Sequence, residues 1–118
     1  DKGFTYFAIR LCLIPDYFAD EHFRSQYFKL YTKDGECLVD CVGHFVNIVN
    51  EYETISKKYG FDSLQHYNKA TSEKWQDYYN PFTAWLVFER FKKDFIAFGY
   101  EREYYKLKKY LKKKRTFN

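Results

Sequence analysis

Apolar residues in this chain recur at steps of three and four. Nowhere do they sustain the step-of-two alternation that a half-buried strand requires. That contrast argues against a sheet before any single residue is weighed. The clearest case is Asp34–Tyr52, where Leu38, Cys41, Phe45, Val49 and Tyr52 fall along one side of a helix. Asp34 offers a cap for its start, with Gly35 easing the turn. The spacing predicts a central core helix over this stretch, carrying Cys37 and Cys41 one turn apart.

A second stripe of equal regularity runs through Ala84, Phe88, Phe91, Phe95 and Phe98, widened by Trp85 and Leu86. Asn80-Pro81 starts it, a capping side chain followed by proline at the first helical position, and Gly99 ends or kinks it. This stripe is the expected packing surface for the central helix. Phe4–Ile14 is apolar almost all the way round, with Arg10 its only charge, and so predicts a helix buried on most sides until Pro15 stops it. Asp20 offers a cap for a helix carrying Phe23, Tyr27 and Leu30 or Tyr31. Gly60 offers a stop for a helix continuing past Tyr52, and Asp62 with Gln65 resembles a capping box for a short helix through Tyr67. Glu73–Tyr79 reads as a turn or two of helix. A last helix from Tyr100 carries Tyr104, Leu107 and Leu111 on one face and lysines on the other. The expected fold is all-α: a single compact domain of about five to six helices over 1–118, disulfide-tied, with a basic amphipathic C-terminal helix.

The formal charge of +4 is unevenly placed. Residues 101–118 hold eight cations against two carboxylates, net +6, which leaves −2 for residues 1–100. The basicity belongs to the last helix. It suits a solvated face, electrostatic binding of a polyanion, or an arm that steers docking onto an acidic protein partner, of which the first and third fit a net-acidic body best. Nucleic acid is disfavoured, because no nucleic-acid-binding fold signature accompanies the charge. Aromatic residues make up 24% of the chain, and 13 of them are tyrosines, which supply the half-apolar, half-polar surface favoured at interfaces. No apolar run reaches membrane-spanning length.

Motifs that carry chemistry are missing. His22, His44 and His66 lack the helical spacing of a metal site, and there is no Cys-x-x-Cys pair, nucleophile elbow or phosphate-binding glycine loop. Cys12 or Cys37 with His44 is the one nucleophile pairing on offer. Cys12, however, lies in the most apolar segment, where a thiolate is costly. The reading is a non-enzyme without cofactor or metal. Three cysteines suggest one disulfide and a leftover thiol. Cys37 and Cys41 are poorly placed to bridge each other within one helix, and each is better placed to reach Cys12. Such a closed loop of nearly thirty residues adds on the order of 3 kcal/mol. A start at Asp1 without an initiator Met suits a processed mature chain or a trimmed one.

The spacing Cys12-x24-Cys37-x3-Cys41 resembles the first half of the insect odorant-binding-protein pattern, over residues 1–52. That resemblance implies a Cys12–Cys41 disulfide, leaves Cys37 unpartnered, and implies a pocket for a small hydrophobic ligand. In size, helical make-up, few cysteines and aromatic richness, the whole chain is similar to the small helical salivary proteins of anopheline mosquitoes, the albicin and anophensin type. This similarity implies a secreted, extracellular protein of blood feeding and host defence evasion. Such a protein inhibits a host plasma cascade by protein–protein binding, with the alternative complement convertase favoured and the contact or kallikrein–kinin pathway as alternative. The expected partner or polyanion contacts are Lys106, Lys108, Lys109, Lys112, Lys113, Lys114 and Arg115, with Tyr104 and Tyr105.

Overall fold

The structure is a computed structural model that describes residues 2–62 and 74–117. The proposed capping box at Asp62 and Gln65, the short helix through Tyr67 and His66 fall at or beyond the edge of the described residues. Within these limits the chain is all-α. Six α-helices appear: α1 Lys2–Cys12, α2 Gln26–Leu30, α3 Ile48–Tyr59, α4 Pro81–Arg90, α5 Lys92–Ala97 and α6 Glu101–Phe117. Short 3-10 turns occupy Asp16–Phe18, Glu21–Phe23, Phe45–Asn47 and Trp75–Tyr78.

The core is built where α4 meets α6 and α1. Ala84 and Phe88 of α4 are buried with Tyr104, Leu107 and Leu111 of α6, flanked by Tyr79, Phe95 and Tyr110. Phe88 stacks on Tyr104 with ring centroids 4.1 Å apart and planes 5° from parallel. The small Ala84 lets the helices approach closely, and the two rings fill the space beside it. The start of α4 matches its sequence signal. The Asn80 side chain accepts from the Thr83 N–H at 2.9 Å, and the Thr83 hydroxyl accepts from the Asn80 N–H at 3.0 Å. This reciprocal pair satisfies two amides at the helix start. The second stripe is not one continuous helix. The chain breaks at Phe91 (φ −107°, ψ 25°), so α4 and α5 are separate.

Four expectations are corrected. The central helix does not begin at Asp34. Residues 31–37 form a tight turn closed by an isolated antiparallel bridge between Tyr31 and Cys37, in which the Leu38 N–H donates to Leu30 O at 2.7 Å. Gly35 takes φ +87°, a conformation that costs other residues and directs the chain into a turn instead of a helix. With its amides committed across that turn, the segment becomes helical only from Phe45, and Leu38, Phe45 and Val49 are exposed rather than core. The partner of the Ala84–Phe98 stripe is therefore α6 and α1, not a central helix. The first helix buries one side alone, at Ala8, and leaves Tyr6 and Phe7 exposed. The three cysteines are free thiols in the structure, which gives the expected Cys12–Cys41 tie no support. The argument against a Cys37–Cys41 bridge, two cysteines one turn apart on a helix, disappears with the helix. Finally, the radius of gyration of 17.0 Å exceeds the roughly 13–14 Å of a compact domain this size, and the principal extents are 52 × 33 × 24 Å.

The short α2 is held by distant acids. Both oxygens of Asp94, on α5, accept backbone N–H groups of its first turn, from Gln26 at 2.9 Å and Tyr27 at 2.6 Å. The Ser25 hydroxyl accepts the next, from Phe28 at 3.1 Å, and itself donates to Asp16. A one-turn helix with its opening amides satisfied from 68 residues away is stable because of tertiary structure, not propensity.

Candidate functional site: the outer face of the last helix

Helix α6 sorts its side chains by periodicity. Tyr104, Leu107 and Leu111 face the core. Arg102, Lys106, Lys109 and Lys113, at steps of four, three and four, lie on the opposite line and are all exposed. At 1.5 Å per residue this row spans about 16 Å.

The structure separates the nine sequence-derived contact residues into three groups. Tyr104 is a core residue, 7% exposed, and burial pushes its phenol above the ordinary value. It is corrected from a contact to a packing role. Three lysines are already engaged within the protein. Lys106 pairs with Glu103 at 3.0 Å, while Lys108 sits over the rings of Tyr104 at 5.5 Å and Tyr105 at 5.9 Å. Lys114 lies 2.8 Å from Asp77, which also accepts from the Tyr110 hydroxyl at 2.6 Å. The Lys114 and Tyr110 hydrogen bonds hold the Asp77 carboxyl below its usual range, and the Asp77 bond raises Lys114 in turn. That cluster fastens α6 to the Trp75–Tyr78 turn. Lys109, Lys112, Lys113 and Arg115 remain, with Arg102 beside them and no carboxylate partner among the described residues. Tyr105, 57% exposed, stands on the same outer surface.

Like charges one turn apart repel, so this face is destabilising by itself and is relieved when an anionic surface or counterions approach. Its backbone is rigid, because the opposite side of the helix is the core. The arrangement can bind and orient, but it carries no nucleophile or base poised on a reacting group.

The remaining candidate chemistry is dispersed. His44 is tied to Phe98 O by its Nε2 at 3.0 Å, and its Nδ1 lies 3.6 Å from Glu51, so its ring serves to anchor the 43–59 segment. The His22 ring contacts Asp20 at 2.7 Å on an exposed turn. Cys12 is half-buried, and that burial raises its thiol despite the nearby Arg90. Cys37 is exposed and donates to Val39 O at 3.4 Å. No group of His, Cys, Asp or Glu among the described residues is arranged to hold a metal, and no described helix is long and apolar enough to cross a membrane.

Sequence reasoning missed the apolar part of the surface. Leu13, Tyr17, Phe18, Phe45 and Val46 are each more than two-thirds exposed. The total accessible surface of 10175 Å² compares with roughly 6,900 Å² for a folded monomer of this mass. What the fold and this face define is a small helical protein with a rigid basic face and ample exposed aromatic surface. The chain matches no protein-family model, no curated protein and no solved structure.

Proposed function

We propose that this is a secreted, non-enzymatic binding protein that inhibits a host plasma defence cascade by docking on one of its proteins, the alternative complement convertase first. The observation that carries the reading is the α6 face: Arg102, Lys109, Lys112 and Lys113, without carboxylate partners among the described residues, beside the exposed Tyr105 on a helix whose other side is core. Tyr and Arg are the side chains most enriched at interface centres, and a cationic face accelerates docking onto an acidic partner. The salivary resemblance supplies the cascade, and the contact or kallikrein–kinin pathway is the alternative target.

The test is alternative-pathway haemolysis run beside a contact-activation clotting assay, each with Lys109→Glu/Lys113→Glu as comparison. The expected outcome is inhibition by the native protein in one assay and at least a tenfold loss in the double variant, with helical content unchanged. No effect in either assay at micromolar protein overturns the proposal. The carrier reading draws on the groove lined by Leu30, Val42, His44 and Phe98, about 280 Å³ and open to solvent. That lies just below the ordinary range for ligand pockets, and displacement of a fluorescent fatty acid is its test.

A further inference from the structure

Helix α3 stands apart from the core. Among the described residues its principal packing neighbour is the Phe45–Asn47 turn that leads into it. Yet it is the amphipathic element least accounted for by the fold. Ile48, Tyr52, Ile55 and Tyr59 follow steps of four, three and four, the seam of a two-helix coiled coil, on a helix with no buried residue. Ile48 is 40% and Tyr59 62% exposed. An apolar seam of that period, exposed at Ile48 and Tyr59 and half-buried at Tyr52 and Ile55 among the described residues, has its geometric complement in another helix.

We propose that two copies of this chain pair through α3, antiparallel about a twofold axis. Three features of the helix favour a second copy as occupant. The first is charge. Glu51 stands near the start of the helix and Lys58 near its end, both on the same flank of the seam. Antiparallel pairing sets Glu51 of each copy beside Lys58 of the other, whereas parallel pairing would face Glu51 with Ser56 and leave the complementary charges unpaired. The second is shape. Gly43, His44 and Phe45 wall a groove of about 290 Å³ over Ile48, Tyr52 and Ile55, at the N-terminal half of the seam. The exposed Tyr59 ring stands at the other end. Under the twofold, Tyr52 meets Ile55 and Tyr59 meets Ile48, so the projecting ring of each copy enters the groove of the other. One patch thus supplies both knob and hole, as an isologous contact requires.

The third is the construction of the groove wall. A Cβ on Gly43 would lie 2.9 Å from Glu51 Oε2, so a larger residue there would displace the Glu51 carboxylate from the wall. The His44 amide donates to the same carboxylate. Both Glu51 oxygens lie against His44, one accepting its amide and the other 3.6 Å from its Nδ1, while the side chain stays 35% exposed on the seam flank. With three turns of helix the contact is small and belongs with weak, reversible interfaces.

Sedimentation velocity on the full chain across a concentration series, under reducing conditions so that thiols cannot link copies, reads the proposal. The expected result is a shift from the 14.5 kDa chain mass toward twice that value in the micromolar range. Ile55→Glu, a half-exposed seam position, abolishes the shift while the circular dichroism spectrum stays native. Lys58→Glu weakens association about tenfold, because it places like charges together at both symmetry-related sites. Carbodiimide coupling of an isotopically mixed sample yields a Glu51–Lys58 crosslink between copies. The mixed-isotope mass pattern separates a link between copies from one within a single helix. A chain that is monomeric at every concentration, or a dimer unmoved by both variants, overturns the proposal.

Discussion

Removing the guanidinium of Arg90 is predicted to loosen the turn that joins α1 to the rest of the molecule. Arg90 sits at the end of α4, with its side chain 8% exposed. Its Nε donates to Ile14 O at 2.8 Å, and its guanidinium lies over the Phe91 ring at 4.6 Å. One terminal nitrogen is 2.8 Å from Asp16 Oδ1, an ion pair whose alignment falls short of a hydrogen bond. Asp16 in turn accepts from the amide and hydroxyl of Ser25. In Arg90→Met the apolar stem stays and three interactions go. A hydrogen bond from a charged donor contributes about 1.5–3 kcal/mol, and the ring contact about 0.5–1. Asp16 is 22% exposed, so the unpaired carboxylate recovers water and the loss falls below that of breaking a fully buried pair. The expected cost is about 3 kcal/mol at neutral pH, a fall in Tm on the order of 10 °C, read by urea and thermal denaturation. The same measurement has a pH signature. Burial alone would raise the Asp16 carboxyl, but the Ser25 hydrogen bonds and Arg90 outweigh it and hold it below its usual value. A depressed folded value gives stability that is complete above the unfolded value of about 3.9 and is lost as pH falls through the folded one. The gap between native protein and variant therefore narrows below about pH 4. A loss under about 1 kcal/mol, or a gap independent of pH, refutes the reasoning.

Three further outcomes follow from the same contacts. Phe88→Ala removes the ring stacked on Tyr104 at the α4–α6 contact, and costs about 3–5 kcal/mol in chemical denaturation. Asn80→Ala breaks the reciprocal cap at the start of α4 and costs about 1 kcal/mol, with a small loss of ellipticity. Alkylation followed by mass spectrometry finds three reactive thiols, with Cys37 and Cys41 modified quickly and Cys12 slowly, since its burial raises the thiol. Two protected cysteines in non-reduced protein contradict that outcome and restore the disulfide.

What the sequence made legible was local, and what it concealed was set by distant partners. Asn80-Pro81 starts α4 because the cap involves residues three apart, and α6 shows its inner and outer faces because one helix holds both. The failure at Asp34–Tyr52 has an equally specific cause. Helical spacing is necessary for an amphipathic helix but does not commit the amides, and here the turn closed at Tyr31 and Cys37 claims them first. The Asp94 cap on α2 and the Asp16–Arg90 pair join residues more than sixty positions apart, so no window of sequence contains them. The candidate site divides along the same line. Tyr104 and Tyr105 are neighbours in an identical basic context, and only a 100° rotation about the helix axis makes one core and the other surface. Spacing relative to Leu107 and Leu111 was the available signal, and it places Tyr104 three residues before one buried leucine and seven before the other. Faces can be read in this way wherever an element has a core on one side. Helix α3 has an amphipathic pattern with no core beside it among the described residues, and so its apolar seam stands partly exposed.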